Sequence, residues 1–329
     1  MTFMEDGLRK LPVGKLPPDI LEQHILQFSG ASRPDVLVGP GIGEDASLIR
    51  FPEGKLLAVS SDPIVGASKG AGTFLVHINA NDIACKGGDP AYFIITLIIP
   101  VEQGLPFARM IMEEIHHACK KMGIAVIGGH TELTDRYKKP VVVGTMMGQT
   151  SYLYRATDIC AGDGVIMTKH VGLEGMSILA HDRPDLLKPH LSDAEIQSIT
   201  SWISSISVLK EAAAVRDLAR FMHDPTEGGL FGGLAEICRL SGLNLHLDME
   251  AIPIHPLTRK VGKALGADIY HLISSGVLVV VVPEEKIETA LKRLEEKQIP
   301  AALIGKIVEE GRGNCELDSK EELWRLLAL

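Results

Sequence analysis

The two longest uninterrupted apolar runs in this chain, AYFIITLII at 91–99 and GVLVVVV at 276–282, are strand-length and stop at prolines. Runs of that kind read as strands buried on both faces, and each falls far short of the roughly 20 residues a membrane-spanning helix requires. Segments with helical spacing lie between strand-like ones: 72–86, 106–122, 226–240 and 285–297 against LLAVSSDP, IAVIGG, VVVGTMMG, VIMTKH, NLHLDM and AALIGKIVE. A longer helical region is expected over 192–219. The alternation predicts an α/β (α+β) fold. At roughly 150 residues per domain, 329 residues suggest two domains. The polar stretch SYLYRATDICAGDG places their boundary near 155, giving 1–155 and 156–329, with a Pro-containing leader over 1–34 that ends in a short helix at 19–28.

Thirty-three Lys and Arg against 42 Asp and Glu leave a net charge of −9, which gives no general attraction to nucleic acid or an anionic membrane. A polyanion bound here would need carboxylate-held metal and backbone N–H groups. The first residues, MTFMEDGLRKL, contain no apolar core of a signal peptide. Five scattered cysteines with no CxxC pair favour a reducing compartment, and a cytoplasmic location is expected.

Five constellations carry polar chemistry. GPGIGED (39–45) puts three glycines before two carboxylates; alone it reads equally as a tight strand connection. No GxxxxGK[ST] occurs, so a P-loop is excluded. SSDP (60–63) sets Asp62 at the end of an apolar strand, or makes an ordinary Asp-Pro turn. In NANDIACKGG (79–88), Asn79, Asp82 and Lys86 fall at i, i+3 and i+7 and share a helix face, where Asn and Asp are poor helix formers unless they serve a purpose. The alternative is a solvated polar face. GGHTEL (128–133) follows an apolar strand with a donor-rich loop, although His130 alone reads as a structural histidine. HDPTEGG (223–229) carries a capping signature, Asp224 as N-cap with Pro225 at N1 and Glu227 at N3. Its two glycines suggest close approach by another group, with phosphate the natural candidate.

Read in order, GIGEDASLI, SSDPIV, NANDIACKGGDPAYF, GGHTEL and HDPTEGGLFGGLAEI resemble the motif set of the PurM-like superfamily, over about residues 36–240. That group includes aminoimidazole ribonucleotide synthetase, selenophosphate synthetase, thiamine monophosphate kinase and the hydrogenase maturation factor HypE, and the chain is most similar to the HypE-like branch. The resemblance implies a PurM-like two-domain fold, an N-terminal sheet that dimerises into a β-barrel, and a C-terminal α/β domain. It implies ATP and Mg²⁺ as cofactors, with metal held by Asp45, Asp62, Asp82 and Asp224. Lys15, Gly43, Asn79, Gly128, Gly129, Thr131 and Thr226 would contact the nucleotide, and Asp82, His130 and Glu132 would be catalytic. The acceptor, a small molecule or a protein-bound group, is not specified by any motif. The last residues, EELWRLLAL, carry no Pro-Arg-Ile-Cys tail, and the leader carries no nucleophilic Cys. The expectation is therefore an ATP-using homodimer that activates an amide or other oxygen acceptor without those cysteines. A small-molecule kinase and a non-catalytic ATP-binding partner in metallocentre maturation are the alternatives.

Overall fold

The structure is a computed structural model that describes residues 18, 36–38, 41–50, 54–64, 70–314, 317–318 and 320–329. Lys15, the helix expected over 19–28, Gly39, Pro40 and Cys315 lie outside the described residues.

The first sheet has six strands: β1 (Val36–Val38), β2 (Ser47–Arg50), β3 (Leu56–Ile64), β4 (Asp89–Pro100), β5 (Ala125–Thr134) and β6 (Val141–Thr150), in the order β1-β2-β3-β6-β4-β5. All neighbours are antiparallel except β4 and β5. Two helices, α1 (Ala71–Cys85) and α2 (Gly104–Met122), pack against each other and the sheet, α1 over β3 and β6 and α2 towards β4 and β5. Period-two burial explains the strand pattern: Phe93, Ile95, Leu97 and Ile99 of β4 are buried beneath the helices, while Ile94, Thr96 and Ile98 are half-buried on the other face. Strand β5 is exposed along almost its whole length, with Val126, Ile127 and Leu133 at 42, 52 and 51%.

The second half builds a five-stranded antiparallel sheet from β7 (Gly164–Thr168), β8 (Phe221–His223), β9 (Asn244–Leu247), β10 (Val279–Val282) and β11 (Ala301–Val308), in the order β8-β10-β7-β11-β9. The valines of β10 are buried on both faces, as the unbroken apolar run predicts. Around the sheet lie α3 (Leu173–Asp182), α4 (Pro184–Leu187), α5 (Asp193–Thr200), α6 (Leu209–Val215), α7 (Gly229–Ser241), α8 (Pro256–Leu265), α9 (Ile287–Glu296) and α10 (Leu323–Leu327). The helical region expected over 192–219 is divided: a capping box at Ser192 and Glu195 starts α5, a 3-10 turn follows at 201–205, and α6 begins at Leu209. Among the described residues no helix is long and apolar enough to cross a membrane.

Helix α1 joins the two halves. Every residue in it except Thr73 is buried. Leu75, Val76, Ala80 and Ile83 belong to the core of the first half, Ala84 and Cys85 to that of the second, and Phe74 and Ile78 to a third cluster shared with Leu173, Met176, Leu323 and Leu326. Asn81 locks this arrangement: its Nδ2 donates to Ile206 O at 2.9 Å and its Oδ1 accepts from Val208 N at 2.9 Å. The polar face read from the sequence is thus not solvated, for Asn79, Asn81 and Lys86 are fully buried and Asp82 is nearly so.

Candidate functional site

Asp45, Asp62 and Asp224, from other parts of the chain, crowd around Asp82 in the last turn of α1. Asp62 lies late in β3, and its backbone N–H donates to Asn79 Oδ1 at 3.0 Å; Asn79 Nδ2 in turn donates to Leu75 O at 2.9 Å. This ties the strand to the helix and brings Asp62 beside Asp82. The Ser60 hydroxyl donates to Asp82 Oδ2 and lies 3.4 Å from Asp62 Oδ2. One turn further along α1, the Cys85 thiol donates to Asp224 Oδ1 at 3.5 Å. Asp45, His223 and Asp224 offer ligand atoms that all lie within 4.8 Å of one another.

The electrostatics follow from that crowding. Burial first, then the neighbouring Asp62 and Asp224, push the Asp82 carboxyl well above the usual carboxylate range. Burial and Asp45 do the same to Asp224, with His223 opposing. Burial and the aspartates also raise the Cys85 thiol, so it acts here as a hydrogen-bond donor and not as a nucleophile. The Oδ2 of Asp224 is buried without a hydrogen-bond partner. Converging hard oxygen donors, mutual repulsion and an orphaned carboxylate oxygen fit a divalent cation of the Mg²⁺ class.

Two basic groups brace the cluster, and neither stands among the expected ligands. Lys86, fully buried, forms an ion pair with Glu44 in the loop that carries Asp45, and its ammonium lies 5.1 Å from the ring centroid of Phe221. His223, at the end of β8, places Nδ1 at 2.8 and 2.9 Å from the two oxygens of Asp45 and Nε2 at 2.9 Å from Glu236 Oε2 on α7. Burial alone would lower the imidazole pKa, but the two carboxylates outweigh it and raise it to about 10. Gly43 permits this approach: its φ is +77°, and a Cβ there would stand 2.9 Å from Glu236 Cβ and 2.8 Å from Leu240 Cδ1. A cavity of about 430 Å³ lies beside Glu236, lined also by Ile42, Arg239 and Asp318 and not by the four aspartates.

The HDPTEGG segment differs from its sequence reading. Helix α7 starts at Gly229 with Gly228 as N-cap, so Asp224 is not a cap and faces the cluster instead. The close approach that its glycines anticipate is made by the chain itself. A Cβ on Gly229 would stand 2.5 Å from Tyr270 O, and the Gly228 N–H donates to Glu321 Oε2 at 2.7 Å. Thr226 is half-buried, and its carbonyl accepts from Gly229 N at 3.0 Å.

Residues 128–132, expected as a loop after a strand, are part of β5 itself, because pairing with β4 continues through Thr96↔His130 and Ile98↔Glu132. Gly128, Gly129, His130, Thr131 and Glu132 are exposed there, and His130 Nε2 lies 3.1 Å from Glu132 Oε2. Among the described residues no hydrogen bond or ion pair joins them to the four aspartates.

Comparison with known proteins agrees with this architecture. Family models for AIR synthase related protein match over the N-terminal domain at residues 43–150 and over the C-terminal domain at residues 161–318. The chain is 26% identical to carbamoyl dehydratase HypE of Cupriavidus necator over 291 residues, which covers 84% of this chain and 80% of that one. The structure is similar to hydrogenase maturation protein HypE in complex with ATP, with a TM-score of 0.65, 23% identity and coverage of 90% and 87%. It is also similar to AaThiL complexed with AMPPCP and TMP, with a TM-score of 0.71, 17% identity and coverage of 85% and 91%. Both likenesses establish the PurM-like two-domain fold.

Proposed function

The chain belongs to the AIR synthase related family, and on that premise we propose that it is a Mg-ATP-dependent enzyme whose γ-phosphate transfer or cleavage activates an amide-type or other oxygen acceptor. The observation that carries this reading is the crowding of Asp45, Asp62 and Asp224 around the buried Asp82, with the carboxyls of Asp82 and Asp224 both held well above their usual range. These four carboxylates would hold Mg²⁺, which supplies charge neutralisation between phosphate oxygens. Asp82, the most crowded, takes the central place. Gly43, Asn79 and Thr226 would line the nucleotide from the described chain, with Lys15 reaching it from the leader.

Gly128, Gly129 and Thr131 complete the nucleotide pocket, and His130 with Glu132 orients the acceptor or moves its proton, when β5 faces a second copy of the chain. The half-exposed apolar face of the first sheet, including Leu57, Val59, Ile94 and Met147, supports that homodimer. The two domains divide near residue 155, and the protein works in the cytoplasm. Its acceptor is a small molecule or a protein-bound group. The test is ADP release measured with Mg-ATP against a panel of amide and phosphate acceptors. ADP with a dehydrated or cyclised product supports the reading. A stably phosphorylated product would make the chain a small-molecule kinase, and saturable ATP binding with no turnover on any acceptor would refute an enzyme.

A further inference from the structure

Three aromatic side chains from separate elements meet in the second half of the chain: His170 just after β7, Trp202 in the 3-10 turn after α5, and His255 at the N-cap of α8. The centroid of the Trp202 ring lies 4.7 Å from that of each imidazole, and the two imidazole centroids are 5.1 Å apart. The backbone builds this meeting. Val171 N donates to Pro253 O at 3.2 Å, and Lys169, turned by a φ of +57°, sends its ammonium to the carbonyls of Ser205 and Ser207 at 2.8 and 2.7 Å.

Hydrogen bonds fix what each ring offers. His255 Nδ1 accepts from Leu257 N–H at 3.1 Å, so the proton of the neutral ring is on Nε2. His170 Nδ1 faces Val171 O, which can only accept, at 3.4 Å; its proton is therefore on Nδ1, and the Nε2 lone pair is left open. Burial lowers the pKa of both imidazoles, that of His170 to about 4, so both rings are neutral at pH 7.5. Among the described residues His170 Nε2, His255 Nε2 and Trp202 Nε1 make no hydrogen bond, and none of the three is sealed from solvent. The triad thus offers two N–H donors and one lone pair to a ligand.

We propose that His170, Trp202 and His255 form a binding subsite for a neutral primary carboxamide. Its carbonyl oxygen, with two lone pairs, accepts from His255 Nε2–H and Trp202 Nε1–H, while its NH₂ donates to His170 Nε2. A carboxylate satisfies the two donors but turns a lone pair towards that of His170, and an N,N-dialkyl amide has no N–H to give it. The subsite suits the amide-type acceptor of the proposed reaction and in that respect rests on that reading, whereas binding itself needs neither ATP nor metal.

The test is binding of benzamide, benzoate and N,N-dimethylbenzamide to the full-length chain at pH 7.5, without nucleotide and with EDTA, so that no metal bridges the imidazoles. Trp202 is the reporter in a Trp324→Phe background, since the chain has two tryptophans and the Trp324 indole N–H is buried without a partner. Saturable quenching by benzamide is expected, with an affinity at least about tenfold higher than for either analogue. His170→Phe, and His255→Asn, whose carbonyl keeps the cap of α8, should each lower benzamide affinity by about tenfold. If a variant does not fold, the ligand series on the parent chain decides alone. Equal affinity for the three ligands, no saturable quenching by benzamide, or folded variants that bind as the parent does overturn the inference. Benzamide binding with no ADP release on any acceptor would uphold the subsite and refute the enzyme.

Discussion

Lys86 and Glu44 form a buried ion pair that ties the last turn of α1 to the loop bearing Asp45. Removing one partner leaves the other charge desolvated, at a cost of about 3–5 kcal/mol. Lys86→Met is therefore expected to lower stability to urea by that order and to weaken Mg-ATP binding. Replacing both partners, Glu44→Leu with Lys86→Met, should recover most of the stability and none of the binding. Equal loss in the single and double variants would show that the pair does not act as a unit.

Asp82→Asn should bring ATP turnover to background without unfolding the protein. The amide oxygen still accepts from Ser60, and the substitution removes a carboxyl that burial, Asp62 and Asp224 disfavour in its charged form. The melting temperature is expected to equal or exceed that of the wild type. ADP release at the wild-type rate would remove Asp82 from the site.

Glu174 sets a pH dependence of its own. Burial first, with Glu321 and Glu227 adding and the Ser275 hydrogen bonds opposing, raises its carboxyl from the ordinary 4.5 to about 7. The folded state thus binds a proton that the unfolded state has lost. This contribution is complete below about pH 4.5, is lost as pH rises through 7, and amounts to about 3 kcal/mol. Glu174→Gln should be more stable than the wild type at pH 8, with the difference vanishing near pH 4.5. Chemical denaturation at a series of pH values gives that difference; a constant offset contradicts it.

Asn81→Ala removes both hydrogen bonds that α1 makes to residues 206 and 208 and leaves a buried N–H and C=O unpaired. A loss of about 2–4 kcal/mol is expected from the urea midpoint. A loss below about 1 kcal/mol would mean that water replaces the amide.

Divalent ions should stabilise the fold, since they relieve the repulsion among four carboxylates. At Mg²⁺ one hundred times its dissociation constant the gain is about 2.7 kcal/mol, and chelation should reverse it. Scanning calorimetry with Mg²⁺ and with EDTA measures this directly, and identical melting curves would speak against a metal at the cluster.

The α/β class, the β4 and β10 strands and the polar face of α1 were legible because apolar runs and the placement of Asp and Asn on a helix are local signals, whereas Asp45, Asp62 and Asp224 entered as metal ligands only through the family resemblance. What could not be read were partnerships made across the chain. His223 only preceded a capping signature, and nothing nearby in sequence marks Asp45 or Glu236 as its partners, 178 and 13 residues away. The glycines at 228 and 229 signalled a close approach correctly, but the approaching groups, the backbone near Tyr270 and the Glu321 carboxylate, come from later in the chain. Residues 128–132 extended β5 because parallel pairing to β4 satisfies their backbone, and two glycines gave no warning of that.

Because α1 contributes side chains to all three apolar clusters, neither sheet can melt and leave the other with an intact interior. Heat or denaturant should thus meet a single cooperative transition where two separate sheets would suggest two. A chain severed between β6 and β7 would hand each fragment an open wound where that helix had been shared.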